Sequence, residues 1–252
     1  MMTFNEKIRE RMLSTDQLLS DTADKIKVRQ YIDSVMGENN LLDFRIYEGY
    51  SVDDALSCLK KGTVLKPNNG SGKHIFMWRD PDDSSIASAR SAITDWMCPE
   101  YPVNHNYERF YRSIKPGIVV ENMLYDTDHV CYRFYTFKGV IHHILAHGIA
   151  FSGDSRSIST KSFTAYTPSW DKINVWMEHP VRVPNPDLPA PESLEEMTRI
   201  ASILGQAFSF TRVDLFEWNG SVRFSELTHT PTAGVRRYND PLFEQSMSDL
   251  WI

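Results

Sequence analysis

Arg212-Val213-Asp214 and Glu226-Leu227-Thr228 flank an Asn219-Gly220 turn and contain the residue types that neutralise and hold a phosphorylated centre. Alternation along a strand puts Arg212 and Asp214 on one face, and Glu226 and Thr228 on one face of the next strand. A three-residue loop ending in Gly220 preserves the parity between the two pairs. A two-residue turn puts the carboxylates on opposite faces unless a bulge follows. In the first register two carboxylates and an arginine converge. Carboxylates at close range repel unless a cation lies between them, and Mg²⁺ held by one or two carboxylates plus substrate phosphates is a common solution. A solvated hairpin face carrying an ion pair is the alternative.

Leu65-Lys66-Pro67 enters a turn-rich stretch, Asn68-Asn69-Gly70-Ser71-Gly72. Backbone N–H groups of such a loop can approach phosphate oxygens, with a lysine beside it as a point charge. Gly70-Ser71-Gly72-Lys73 does not complete a P-loop, because Pro67 stands where glycine is needed and His74 where Ser or Thr would hold magnesium. A loop between two strands instead suits a flap over phosphates, or an ordinary hairpin tip. His142, His143 and His147 lie in a pattern that favours a strand, which argues against a helical metal site. Gly153-Asp154-Ser155 has no partner histidine or Gly-x-Ser-x-Gly elbow, which argues against serine hydrolysis. Arg236-Arg237 could grip an acidic substrate by bidentate contacts, or be a surface basic pair.

Positioning these groups requires a mixed framework. A helix is expected over Thr22–Met36, strands over Gly62–Pro67 and His74–Trp78, and a helix over Ser84–Met97 with Ile86, Ala89, Ile93, Trp96 and Met97 on one face. Ile118–Val120, Val130–Phe137 and Val140–Ile149 read as an antiparallel meander turning at Lys138-Gly139. Five prolines between Pro180 and Pro191 exclude regular structure there. Ser193 and Glu196 suggest a capping box for a helix burying Leu194, Met197, Ala201 and Leu204. Strands over Phe210–Trp218 and Val222–Thr228 complete the set.

The 252 residues, 41% of them hydrophobic, suffice for one large domain or two lobes, and general disorder is excluded. With a net charge of −6 there is no global positive field for nucleic acid. The odd, widely spaced Cys58, Cys98 and Cys131 suit reduced thiols in the core. Neither a signal-type apolar region nor an integral membrane segment is legible, so a cytoplasmic protein is expected.

The ordered motifs resemble the ATP-grasp enzymes, specifically the TupA-like branch named after a teichuronopeptide biosynthesis protein. The similarity runs through Asp24-Lys25-Ile26-Lys27-Val28-Arg29, Val64-Leu65-Lys66, Asn69-Gly70-Ser71-Gly72, Ile114-Lys115-Pro116 and Val119-Val120-Glu121. It continues through Tyr132-Arg133-Phe134, Phe137-Lys138-Gly139, Arg212-Val213-Asp214-Leu215, Glu226-Leu227-Thr228 and Thr230-Pro231. The resemblance implies an α+β ATP-grasp fold, two lobes clamping ATP between antiparallel sheets. Its expected divisions are an N-terminal helical segment, 1–36, a small lobe, 37–117, with the flap at 68–73, and a large lobe, 118–252, with the metal site.

Carried over by position, the resemblance implies that Lys25 and Lys66 contact the nucleotide phosphates beneath a flap including Asn69, Gly70, Ser71 and Gly72. Glu121, Asn122, Met123 and Leu124 would form the adenine hinge. Asp214, Glu226 and Thr228 would hold Mg²⁺, with Thr228 where most ATP-grasp enzymes have Asn. Arg212 would stabilise the reacting centre. Arg133 replaces a usual lysine, keeping the charge but changing its geometry. Arg236 and Arg237 are the substrate-side candidates.

The implied activity is ligation of a carboxylate to an amine through an acyl phosphate, for instance joining an amino acid to a uronic acid in cell-surface polysaccharide or capsule assembly. A sugar-hydroxyl kinase and a non-catalytic nucleotide-binding module are the rivals. Little precedes Lys25 to form a separate substrate domain, so completion of the site by a partner protein or a homodimer contact is also an expectation.

Overall fold

The computed structural model describes residues 2–70, 72–98, 108–152, 157–177 and 183–252. They form two compact units, one of residues 13–126 and one of residues 1–12 with 127–252.

After the N-terminal helix α1 (Phe4–Arg11), which belongs to the second unit, the first unit begins with α2 (Gln17–Ala23) and α3 (Val28–Met36), where the sequence suggests a single helix. The break has a local cause. Asp24 is extended at the end of α2, its carboxylate accepts from Ile26 N–H at 2.8 Å, and Lys25 N–H donates to the Asn68 carbonyl at 3.0 Å. β1 (Arg45–Gly49), α4 (Val52–Ser57), β2 (Thr63–Pro67), β3 (Ile75–Met77), α5 (Asp83–Trp96) and β4 (Ile118–Asn122) follow. The four strands form an antiparallel sheet in the order β1-β4-β2-β3, so the sheet spans position 117, where the sequence reading divides the lobes. α5 starts where Asp82 caps Ser85 N–H, and it buries Ala89, Ile93 and Trp96 in a core shared with Leu65, Ile118 and Val120.

The second unit carries β5 (His129–Phe137), β6 (Val140–Ser152), β7 (Ser157–Tyr166), β8 (Lys172–Ile173), α6 (Leu194–Gly205), β9 (Thr211–Trp218), β10 (Ser221–Thr228) and α7 (Pro241–Leu250). Its antiparallel sheet has the order β10-β9-β5-β6-β7-β8. α6 buries Met197, Ile200, Ala201 and Leu204, with Leu194 only half-buried. Ser193 stands at its N-cap but makes no cap bond. Its hydroxyl and N–H instead donate to Glu217 Oε1 at 2.6 and 2.7 Å, which replaces the expected capping box.

The N-terminal helix α1 (Phe4–Arg11) packs with this unit, placing Phe4 against Phe137, Phe210 and Trp251. Arg11 lies over the Trp251 ring at 4.3 Å, and Lys7 donates to the Ser248 carbonyl at 3.0 Å. The described prolines of 183–190 lie in irregular chain, tied to β7 by Phe163 N–H and Thr164 Oγ1 donating to the Pro184 and Pro186 carbonyls. All three cysteines are free thiols. Only Cys131 is buried; Cys58 is half-buried and Cys98 exposed, so the core expectation holds for one of the three.

Candidate functional site

The hairpin that carries the acids turns on two residues. Ser221 pairs with Trp218, and both intervening residues have left-handed backbones, Asn219 at φ 49° and Gly220 at φ 69°. That turn alone would pair Asp214 with Ser225. Instead the register shifts between Phe224 and Glu226, leaving Ser225 as the extra residue and pairing Glu226 with Asp214 and Thr228 with Arg212. The bulge alternative of the two-residue turn is thus the observed one. β5 extends both rows: Arg133 stands opposite Asp214, and Tyr135 opposite Arg212.

Arg212 is the cation between the acids. Its Nε and one terminal nitrogen donate to the two Asp214 oxygens, each at 2.6 Å. The same terminal nitrogen reaches Thr228 Oγ1 at 3.0 Å and Glu226 Oε1 at 3.3 Å, and Thr228 Oγ1 donates to Glu226 Oε1 at 3.1 Å. Burial works against the Arg212 charge, but Asp214 and its short bidentate bonds outweigh it and raise the guanidinium pKa. Asp214 is buried whereas the Glu226 side chain is 34% exposed, so Glu226 is the acid within reach of solvent. Arg133 Nε lies 3.5 Å from Asp214 Oδ2.

In the first unit, β2 and β4 place Lys66 and Glu121 close together. Lys66 Nζ donates to Glu121 Oε2 at 2.5 Å and Arg45 Nε to Glu121 Oε1 at 3.1 Å. Burial alone would raise the Glu121 pKa, but the charges of Lys66 and Arg45 override it and hold the carboxyl below its ordinary range. Arg45, on β1, also donates to Glu48 Oε1 at 2.6 Å and to the Lys25 carbonyl. Lys25 Nζ in turn donates to the Gly70 carbonyl at 2.7 Å. Arg45 and Glu48 were not singled out by sequence, because an Arg-x-x-Glu spacing is common and only the β1–β4 pairing brings Arg45 opposite Glu121.

The loop after β2 is anchored at its base. Buried Asn68 donates to Asp24 Oδ1 and the Lys115 carbonyl, and accepts from Gly117 N–H at 2.7 Å. Asn69 is also buried, Gly70 and Gly72 take φ of 109° and 73°, and Ser71 lies outside the described residues. At the hinge, Asn122 N–H donates to the Phe44 carbonyl and Met123 N–H to the Gly62 carbonyl, both at 2.8 Å. Among the described residues, no hydrogen bond engages the Leu124 N–H.

The histidines lie on a strand, as their pattern suggests. His143 Nε2 is 2.9 Å from the Tyr238 hydroxyl and its Nδ1 is 2.9 Å from His142 Nδ1. Burial lowers the pKa of His142 to about 4. Among the described residues, no group of three or more His, Cys, Asp or Glu is placed to hold a metal ion. Arg236 and Arg237 differ in setting, Arg236 half-buried and Arg237 exposed. Gly153, Asp154 and Ser155 lie outside the described residues. No helix among the described residues is long and apolar enough to cross a membrane.

The TupA-like ATP-grasp family model matches residues 6–251. No curated protein matches the sequence. Among solved structures, an L-amino acid ligase from Bacillus licheniformis superposes with a TM-score of 0.51 at 19% identity, over 87% of this chain and 46% of that one. A D-alanine–D-alanine ligase from Bacillus anthracis gives 0.49 at 15% identity, over 93% of this chain and 68% of that one. This chain therefore spans about half the length of the first ligase, with which it shares its fold.

Proposed function

The chain belongs to the TupA-like ATP-grasp family, and from that premise we propose that it is an ATP-dependent carboxylate-amine ligase. The observation that carries the reading is the double row Glu226–Asp214–Arg133 and Thr228–Arg212–Tyr135 across three strands. It gathers two carboxylates, two hydroxyls and two guanidiniums on one face. The fold of the L-amino acid ligase supports the same reaction class.

Asp214, Glu226 and Thr228 fit magnesium in kind. They are hard oxygen donors, and each Asp214 oxygen has a second lone pair beyond the one Arg212 engages. When bound, the ion would screen phosphate charge. The remaining work falls to the chain's own groups. Lys25 and Lys66 bind phosphate oxygens, and the Asn68-anchored loop excludes water from a hydrolysable acyl phosphate. Leu124 N–H serves as the free backbone donor for the adenine, because Asn122 and Met123 are engaged within the protein.

Arg212, fixed by Asp214, stabilises the oxyanion formed when the amine attacks. Arg133 and Arg236 bind the acid. The amine is itself the nucleophile and displaces phosphate from the acyl carbon, the departing phosphate taking up the amine's proton, so no nucleophilic side chain is required. The acceptor class we propose is a uronic acid or acidic saccharide chain, joined to an amino acid, and the cytoplasm is the proposed site of action. The nucleotide flap lies in the unit of residues 13–126, and the acids proposed to hold the metal lie in the unit of residues 1–12 and 127–252. ADP release that requires both an acid and an amine tests the reading, while release with a sugar alcohol alone would replace it with a kinase.

A further inference from the structure

On the sheet face that carries Asp214, two buried nitrogens without hydrogen-bond partners flank one ring. Arg133 is two residues from Cys131 on β5, Cys131 stands opposite His147 on β6, and His147 opposite Phe163 on β7. Alternation therefore puts Arg133, His147 and Phe163 on one face. The His147 imidazole stacks on Phe163 with ring centroids 4.6 Å apart, and the Arg133 guanidinium carbon is 5.9 Å from the same ring centre. His147 is 8% exposed, and its Nε2 lies 3.2 Å from Thr160 Oγ1. His147 Nδ1 and Arg133 Nε have no hydrogen-bond partner among the described residues. Buried polar atoms are rarely left unmatched, so these two nitrogens are open to the polar group of a ligand.

The surrounding charge sets the ligand's class. Asp214 is matched to Arg212 by two short bonds, and Glu226 is held by Arg212 and Thr228. Arg133 touches an acid only at 3.5 Å, and Arg236 has no ion pair among the described residues. Burial, reinforced by the charges of Arg133, Arg212, His129 and Arg236, pushes the His147 pKa down to about 2, so the ring is neutral. We assign Nε2 as the acceptor of the Thr160 hydroxyl, an assignment that puts the ring proton on Nδ1 as a donor. A neutral donor among surplus guanidinium charge suits a carboxylate.

Two strand spacings, roughly 10 Å, separate the β6 backbone at His147 from β9 at Asp214. A group held at His147 is therefore not the one facing Asp214 and Glu226. We propose that His147 and Arg133, with Arg236 nearby, form a specificity subsite for a second, non-reacting carboxylate of the substrate. The word substrate rests on the ligase reading above; the subsite rests on its own geometry.

The test reads binding, separately from turnover. The full chain with ¹⁵N-labelled histidine is titrated with glutarate, butyrate, L-glutamate and D-glucuronate. Glutarate should shift the His147 Nδ1 resonance and butyrate should not. His147→Phe keeps the stack on Phe163 and removes both nitrogens, so glutarate affinity should fall by about tenfold. His147→Asn retains a donor at the Nδ1 position and should stay within about threefold of the parent. ATP affinity should be unchanged in both variants. L-Glutamate, which carries a second carboxylate as glutarate does, should shift the same resonance, and D-glucuronate, which carries only one, should behave as butyrate does. An unmoved Nδ1 resonance under bound glutarate, or equal glutarate affinity in His147→Phe and the parent, would overturn it. Absence of ADP release in the parent would instead fail the ligase reading and leave this titration interpretable.

Discussion

Glu226 stands directly across the β-ladder from Asp214 because Ser225 is an extra residue in β10. Without it the two-residue turn would pair Glu226 with Val213, and its carboxylate would point to the opposite face. The bulge thus unites a tight, strand-compatible turn with a pair of acids whose sequence spacing would otherwise separate them. It also brings Thr228 opposite Arg212, so one guanidinium ties Asp214, Glu226 and Thr228 together.

The turn is separable from the chemistry. Gly220 has a left-handed backbone, and an added Cβ there meets nothing within 4 Å, so substitution incurs backbone strain alone. Gly220→Ala should lower stability by about 1–2 kcal/mol in urea denaturation. ATP turnover per folded molecule should be unaffected; a loss there would mean that the turn itself shapes the site.

Arg212 and Asp214 are a buried pair whose members depend on each other. Arg212→Ala leaves Asp214 uncompensated and should cost about 3–5 kcal/mol of stability. The double variant Arg212→Ala/Asp214→Ala should recover part of that loss while remaining inactive. Additive losses in the double-mutant cycle would show that the pair is not coupled.

Acid should weaken the first unit through Glu121. Its folded pKa lies below the ordinary value of 4.5, so it contributes stability above that pH and loses it as pH falls through the folded pKa. Glu121→Gln should be less stable than the parent at neutral pH, and the gap should narrow as pH drops below 4.5. Thermal midpoints between pH 7 and pH 3.5 would check this; a constant gap would contradict the pairing with Lys66 and Arg45.

Asn68 should govern the flap. Asn68→Ala leaves the Gly117 N–H, the Lys115 carbonyl and Asp24 without its amide, at a cost of about 1–3 kcal/mol. If the loop closes over phosphates, KM for ATP should rise by about tenfold, measured against a kcat that changes less. An unchanged KM would detach the loop from nucleotide binding.

Much of this arrangement was legible in the sequence. β9, β10 and their Asn-Gly turn follow from alternation, and the α5 stripe from its helical spacing. The bulge was legible only as one branch of an alternative, because parity along β10 cannot reveal where an extra residue sits. The α2–α3 break was hidden because Asp24 reads as an ordinary helical residue until Asn68 meets it from a distant loop. α1 and α7 carried overlooked signals: Thr3 and Glu6 form a capping box, and Asp240 caps a helix with Pro241 at its start. Arg45 and His147 were out of reach as site residues, because strand pairing and burial give them their settings.

Magnesium-dependent ADP release with ATP and a panel of uronic acids and amino acids, with mass spectrometry of the products, is the decisive test of the ligase activity. ADP should be released only when both an acid and an amine are present, with a product lighter by one water than their sum. Glu226→Gln should remain folded and lose turnover by about a hundredfold. A product heavier by one phosphoryl group, ATP binding without ADP release, or full turnover in Glu226→Gln would contradict it.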